Sequence, residues 1–188
     1  MKSEILFTIA EENDLSGILR LQHANSPANL STEEMIKQGF ITVIHSLEQL
    51  MLMNEIAPHI IGKSSNKVVA YLLAMTAASK NDIPILKPMF NIFDNLQYNS
   101  HPVSSYNYLV VGQVCVDKNY RGKGILDNCY NLYRKTYKNR FDFAITEIDA
   151  RNLRSINAHK RIGFKELSTY RSGDGTNWIV IIWDWEQS

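Results

Sequence analysis

The chain has 188 residues, 45% of them hydrophobic and 21% charged. At ~150 residues per domain this suits one globular domain, and a chain of this size buries roughly 70% of its unfolded surface, which excludes a disordered polymer and makes a disulfide or metal staple unnecessary. Twenty Lys and Arg against 19 Asp and Glu leave a net charge of +1. With no basic stripe and no polybasic block, neither nucleic acid nor a membrane surface is expected as a partner.

The longest wholly apolar run, residues 178–183, is far shorter than the ~20 residues that cross a bilayer. The first residues lack the apolar stretch of a secretion signal, so a cytoplasmic location is expected. Cys115 and Cys129 form no Cys-x-x-Cys pair and have no His-x-x-x-His nearby. They read as reduced core residues, and no metal site is expected.

In chain order, residues 5–9 read as a strand, and Asn13 or Asp14 as the cap of a helix with Leu15, Ile18 and Leu19 on one face. Ser26-Pro27 breaks that helix. Ser31-Thr32-Glu33-Glu34 opens a second, short helix that stops at Gly39. Residues 40–44 read as a strand, and 47–55 as a helix ended by Pro58. Residues 59–63 and 67–75 flank the polar Ser64-Ser65-Asn66 and should pair antiparallel. Residues 83–97, interrupted by Pro84 and Pro88, form a less regular insertion with some helix.

A long strand over 106–117 runs through Lys118-Asn119-Tyr120-Arg121-Gly122-Lys123-Gly124 into a helix whose period shows in Ile125, Cys129, Leu132 and Tyr133. Residues 141–149 are the next strand. A short helix over 153–162 follows, with Asn152 as N-cap and Gly163 just past its end. Strands over 165–170 and 178–185, joined by Ser172-Gly173-Asp174-Gly175-Thr176, close the chain as a hairpin. There is no repeat and no linker, so residues 1–188 are expected to form a single α/β domain.

A strand, then Arg121-Gly122-Lys123-Gly124, then a helix is the arrangement that binds an anion, because backbone N–H groups at a helix start have no internal partner and the helix dipole favours negative charge. The segment also serves as a plain strand-to-helix turn. It is neither a P-loop nor a dinucleotide fingerprint, since the residues that complete those patterns are missing.

Taken with a second segment, Asn152-x-x-Ser155-x-x-x-His159-x-x-x-Gly163-Phe164, the turn resembles the GNAT superfamily of acyl-CoA-dependent N-acetyltransferases. In that family a strand leads into Gln/Arg-x-x-Gly-x-Gly/Ala, and an Asn-x-x-Ala-x-x-x-Tyr-x-x-x-Gly-Phe segment lines the other side of the cofactor. The resemblance covers nearly the full chain. It implies an α/β (α+β) acyl-CoA N-acyltransferase fold with a central mixed, mostly antiparallel twisted sheet flanked by helices. It also implies acetyl-CoA as acyl donor, a primary amine on a small molecule or peptide as acceptor, and leaves a homodimer open.

Residue by residue, the resemblance assigns the pyrophosphate of acetyl-CoA to Arg121, Gly122, Lys123, Gly124, Ile125 and Leu126, with Leu126 where Gly or Ala is usual. The pantetheine arm is assigned to the backbone of Val114, Cys115 and Val116, and the far wall to Asn152 and Ser155. His159 stands where many members have the Tyr that protonates the departing thiolate. A histidine of ordinary pKa near ~6.5 can do the same; alternatively it is a partly exposed helix residue.

For a base, Glu147 and Asp149 alternate onto one face at the carboxyl end of their strand, where open α/β sheets place ligands. Glu147 is the first candidate, and either is alternatively a solvated strand-end carboxylate. Asp117 reads as a turn acceptor, and His23, His45, His59 and His101 as surface or core residues. Phe90, Phe93, Tyr98, Tyr106 and Tyr108 either wall an acceptor pocket or belong to the core. Two other functions fit the same residues: a CoA-binding sensor or regulatory module without turnover, and a nucleotide- or phosphate-binding domain unrelated to CoA.

Overall fold

The computed structural model describes residues 4–41 and 43–186. Its elements in chain order are β1 (Ile5–Ile9), α1 (Glu12–Ala24), α2 (Thr32–Gln38), α3 (Leu47–Ile56), β2 (Ile60–Ser64), β3 (Lys67–Met75), α4 (Ser79–Asp82), α5 (Lys87–Asn95), β4 (Gln97–Tyr98), β5 (His101–Pro102), β6 (Tyr108–Val116), α6 (Ile125–Tyr137), β7 (Phe143–Asp149), α7 (Leu153–Ile162), β8 (Lys165–Arg171) and β9 (Asn177–Asp184). Seven strands form one sheet in the order β1-β2-β3-β6-β7-β9-β8. Every neighbouring pair is antiparallel except β6 and β7. This is the α/β, mostly antiparallel architecture expected from the motifs.

Each sheet face buries its own apolar cluster. On one, Leu15, Ile18 and Leu21 of α1 pack with Tyr71, Leu73, Val110, Phe143 and Ile145. On the other, Ile125, Cys129, Tyr130, Tyr133 and Tyr137 of α6 pack with Leu72, Leu109, Ala144 and Trp183. The alternation along β6 and β7 feeds both clusters because successive side chains point to opposite faces. Cys115 and Cys129 are free, buried thiols, as expected.

Two expectations need correction. The first helix starts after Glu11 rather than at Asn13 or Asp14; Asp14 instead reaches back to accept the Glu11 N–H at 3.2 Å and pairs with Lys63 at 2.7 Å. Residues 40, 41, 43 and 44 join no ladder, and Thr42 lies outside the described residues. Backbone groups of this segment go elsewhere: the Ile41 N–H to the Asn25 carbonyl at 3.2 Å, the Val43 carbonyl to the Gln113 side chain at 2.8 Å, and the His45 N–H to Gln22 Oε1 at 2.9 Å. One backbone carbonyl and two side chains thus supply the partners a neighbouring strand would have given.

The aromatics considered for an acceptor pocket belong to the core at the far end of the sheet. Phe90 and Phe93 are fully buried, the Tyr98 hydroxyl donates to Asp184 at 2.5 Å, and Tyr108 donates to Asp94 at 2.8 Å.

Candidate active site

The site begins where β6 and β7 part. Their parallel pairing covers only Tyr108–Val110 against Phe143–Ile145, whereas β6 continues along β3 to Val116 and β7 continues along β9 to Asp149. A register shift between Leu73 and Ala74 puts the extra residue Gly112 in β6. Such a bulge bends a strand and increases its twist. Beyond Val110 the β6 edge facing β7 therefore has no strand partner, and a cavity of about 460 Å³ opens between the two strands.

The floor of that cleft is the turn before α6. Gly122 and Gly124 have φ of +72° and +70°, and a Cβ on Gly122 would meet nothing within 4 Å. α2, α3 and α7 are each capped by a side chain, from Ser31, Ser46 and Asn152. α6 starts at Gly124 with no side-chain cap. Its first N–H groups lack internal partners and face the cleft, which is what a bound phosphate requires.

Arg121 shapes this turn from within. It is half-buried; its Nε donates to the Val116 carbonyl at 2.8 Å and its Nη2 to Asn25 Oδ1 at 2.7 Å. Lys123 folds back, Nζ donating to the Asn119 carbonyl at 2.6 Å, and Ile125 is buried in the core beneath the turn. Asp117 accepts the Asn119 N–H at 2.9 Å, the turn role expected of it. Leu126 and Arg154 line the same cleft. Arg154 was not legible as a site residue because nothing in its local pattern separates it from any surface arginine.

Val114, Cys115 and Val116 line the cleft; burial pushes the Cys115 thiol up to about 12, so it is not a nucleophile at neutral pH. On the opposite wall Asn152 Oδ1 accepts the Ser155 N–H at 3.1 Å and Nδ2 donates to the Phe40 carbonyl at 3.5 Å. The Asn152 side chain thus caps α7 and ties it to the segment after α2.

The two carboxylates separate clearly. Asp149 is held by Arg151 through contacts of 2.6 Å and 3.0 Å, and that hydrogen-bonded pairing keeps its carboxyl below the usual range. Glu147, which lines the cleft, has no ion-pair partner among the described residues. Burial raises it to about 7, against the lowering effect of a 2.5 Å hydrogen bond from the Tyr170 hydroxyl. A carboxylate half-protonated near neutral pH, within a cleft, has the properties of a general base.

His159 departs from the proton-donor expectation. It is 3% exposed, and both ring nitrogens are engaged: Nδ1 lies 2.8 Å from the Ser155 carbonyl, which can only accept, so Nδ1 carries the proton and Nε2 accepts from the Tyr130 hydroxyl at 2.6 Å. Burial lowers its pKa to about 4. At neutral pH it is an uncharged imidazole with its proton committed to the backbone, which does not suit it to protonate a thiolate. Ser155 adds a hydroxyl 3.3 Å from Nδ1.

Residues 47–164 match the model of the acetyltransferase (GNAT) family. The chain belongs to the GNAT family. Its fold agrees with solved structures across nearly the full length. The ribosomal-protein-S18-alanine N-acetyltransferase of Escherichia coli superposes with a TM-score of 0.62 at 14% identity, covering 96% of this chain and 94% of that one. An N-acetyltransferase from Staphylococcus aureus Mu50 gives 0.61 at 17% identity, covering 97% and 99%. Arabidopsis thaliana NAA60, crystallised in complex with acetyl-CoA, gives 0.60 at 14% identity, covering 96% and 99%. Comparison with curated protein sequences finds no match. The motifs that carried the GNAT resemblance thus lie on one cleft, between the split strands and the starts of α6 and α7. Among the described residues no group of His, Cys, Asp and Glu could hold a metal ion, and no helix is long and apolar enough to cross a membrane.

Proposed function

We propose that this chain, acting as one domain over residues 1–188, is an acetyl-CoA-dependent N-acetyltransferase that acetylates a primary amine of a small molecule or peptide. The observation that carries the reading is that a single cleft contains a strand edge that no strand covers, an uncapped glycine-bearing helix start and the half-buried carboxyl of Glu147.

Acetyl-CoA supplies an acyl thioester, whose C–S bond breaks as the acceptor nitrogen forms a C–N bond to the acyl carbon. The residues fit that donor: the α6 start suits a pyrophosphate, and the edge of β6 at Val114, Cys115 and Val116, which no strand covers and whose Val116 carbonyl is held by Arg121, suits an amide-bearing arm, much as a further strand would pair. A backbone N–H of that edge polarises the acyl carbonyl. Glu147 takes the proton that the ammonium must lose, directly or through one water. As the adduct collapses, its nitrogen gives up its second proton, which passes through water to the departing thiolate, whose conjugate acid resembles an ordinary thiol of pKa near ~8.5. His159 holds the α7 wall through Tyr130 and Ser155 instead of donating.

The test is a thermal-shift titration with acetyl-CoA, CoA and ATP side by side, since a ligand that binds only the folded state raises its stability by RT ln(1 + [L]/Kd). Stabilisation by both CoA species and not by ATP, followed by thiol release with a panel of amines, is the expected outcome. Binding without thiol release for any amine would favour a CoA sensor, and no shift with either CoA species would remove the transferase reading.

A further inference from the structure

Among the described residues, the only hydrogen-bond partner of the Glu147 carboxylate is Tyr170, whose hydroxyl donates to Oε2 at 2.5 Å. The two residues are not on adjacent strands. β9 lies between them, with Val180 opposite Glu147 and Trp178 opposite Tyr170. The tyrosine ring crosses this strand diagonally to reach the carboxylate.

The reach depends on one irregularity. At the start of β8 Lys165 stands opposite Ile182 and Glu166 opposite Ile181, but Ser168 stands opposite Val180, so Leu167 is an extra residue. In an unbulged register, with Leu167 opposite Val180, Tyr170 would stand opposite Asn177 and point to the other sheet face, because a one-residue slip inverts every side chain beyond it. Bulges that re-aim a side chain recur beside functional sites. Tyr170 does not line the cleft, whereas Glu147 does.

We propose that Tyr170 is a positioning residue for the base: through the bulge at Leu167 it holds Glu147 Oε2 and leaves Oε1 for the proton of the amine. The proposal rests on Glu147 being the base. Burial alone drives Glu147 toward its protonated form, and the Tyr170 hydrogen bond is the one contact that opposes it. Burial and the carboxylate keep Tyr170 itself protonated far above neutral pH, so it remains a donor throughout the working range. The other titratable groups near this part of the sheet are Cys115 on β6 and Tyr71 on β3, both neutral, His45 on the covering segment, also neutral, the Asp149–Arg151 pair, Asp174 in the exposed β8–β9 turn, and, lining the same cleft, Tyr120 and Arg121 before α6, Asp127 on α6, and Arg154, His159 and Arg161 on α7. None of them hydrogen-bonds Glu147.

The experiment follows Glu147 directly and through turnover. The protein labelled with ¹³Cδ-glutamate is titrated by NMR, with the Glu147 signal assigned by its loss in Glu147→Gln, and kcat/KM for the amine is measured against pH at saturating acetyl-CoA. In Tyr170→Phe we expect the Glu147 midpoint to rise by about one pH unit, and the acid limb of the rate profile to rise with it, costing about tenfold in kcat/KM below the midpoint and little at high pH. Tyr170→Leu, which keeps an apolar body at the site, provides a second variant should the first fold poorly. A midpoint and limb that stay in place in the folded variants overturn the role of Tyr170 while leaving the base intact. A limb that persists in Glu147→Gln overturns the base reading, and the proposal with it.

Discussion

Arg121 and Asn25, 96 positions apart, meet through a 2.7 Å hydrogen bond from the guanidinium to Oδ1. Asn25 ends α1, and its carbonyl accepts the Ile41 N–H at 3.2 Å, so one residue joins the turn before α6 to the segment whose Phe40 and Ile41 line the same cleft. The Asn25 amide nitrogen is fixed on the Leu21 carbonyl at 2.9 Å, which sets Oδ1 toward the arginine. Two walls of the cleft, the turn before α6 and the segment at Phe40 and Ile41, are thereby mechanically joined.

Asn25→Ala should therefore weaken acetyl-CoA binding and raise the acceptor KM together. Losing a hydrogen bond to a charged group costs about 1.5–3 kcal/mol, so each effect should be on the order of tenfold. Isothermal titration with acetyl-CoA, beside amine saturation kinetics, checks this; an effect on only one of the two would show that the sides are not joined through Asn25. Arg121→Ala should weaken acetyl-CoA binding more than it lowers kcat.

Gly124 gives a test of the anion site. Its φ of +70° disfavours any side chain, so Gly124→Ala should cost about 1 kcal/mol of stability, seen as a Tm lower by several degrees. Gly124→Asp adds a negative charge at the helix start and should weaken acetyl-CoA binding at least ~tenfold beyond the alanine variant. Equal affinities for Asp and Ala would move the phosphate elsewhere.

Glu147→Gln should lower kcat about 10²–10⁴-fold, the usual range for a lost general base. Stability should move the other way. The folded-state pKa of about 7 lies above the unfolded value, so the protonated carboxyl's contribution is fully present below about 4.5 and lost as pH rises through 7. At pH 8 the glutamine variant should thus be more stable by about 1–2 kcal/mol, and no more stable at pH 4. Thermal melts at the two pH values decide it.

His45, His59 and His159 carry the opposite linkage. Burial lowers them to about 4, 3 and 4, below the unfolded value of 6.5. Their neutral forms support the fold fully above pH 6.5, and this support is lost as pH falls through the folded values. Each contributes at most about 1.4 kcal/mol per pH unit in that window. Denaturant midpoints should fall between pH 6.5 and 4, and His159→Gln should reduce that fall. His159→Ala should cost about 2–4 kcal/mol, since it empties a site packed against Tyr130 and Phe164 and orphans the Tyr130 hydroxyl. It should leave no ionisation missing from the rate profile near pH 6.5.

What the amino-acid order determined by itself is local. Ser31 and Asn152 as caps, Gly39 and Gly163 as stops, and the polar Ser65-Asn66 turn act within a few residues, so α2, α7 and the β2–β3 hairpin are legible without a partner. The period of α6 and the alternation of Glu147 and Asp149 in β7 are legible for the same reason. Residues 40–44 misled because an apolar stretch has a strand's composition, whether or not a ladder is there to receive it.

Tertiary structure decided the rest, because it alone sets the burial and partners that fix what a side chain does. Glu147 and Asp149 have equal claims in the sequence, but Arg151 neutralises one while burial raises the other. His159 matches a catalytic position, yet Tyr130 and the Ser155 carbonyl occupy both its nitrogens. Tyr170 and Asn25 carry no local signal: one reaches Glu147 through a bulge and the other reaches Arg121 across the sheet. Local pattern places the backbone of this site, and long-range contact assigns its chemistry.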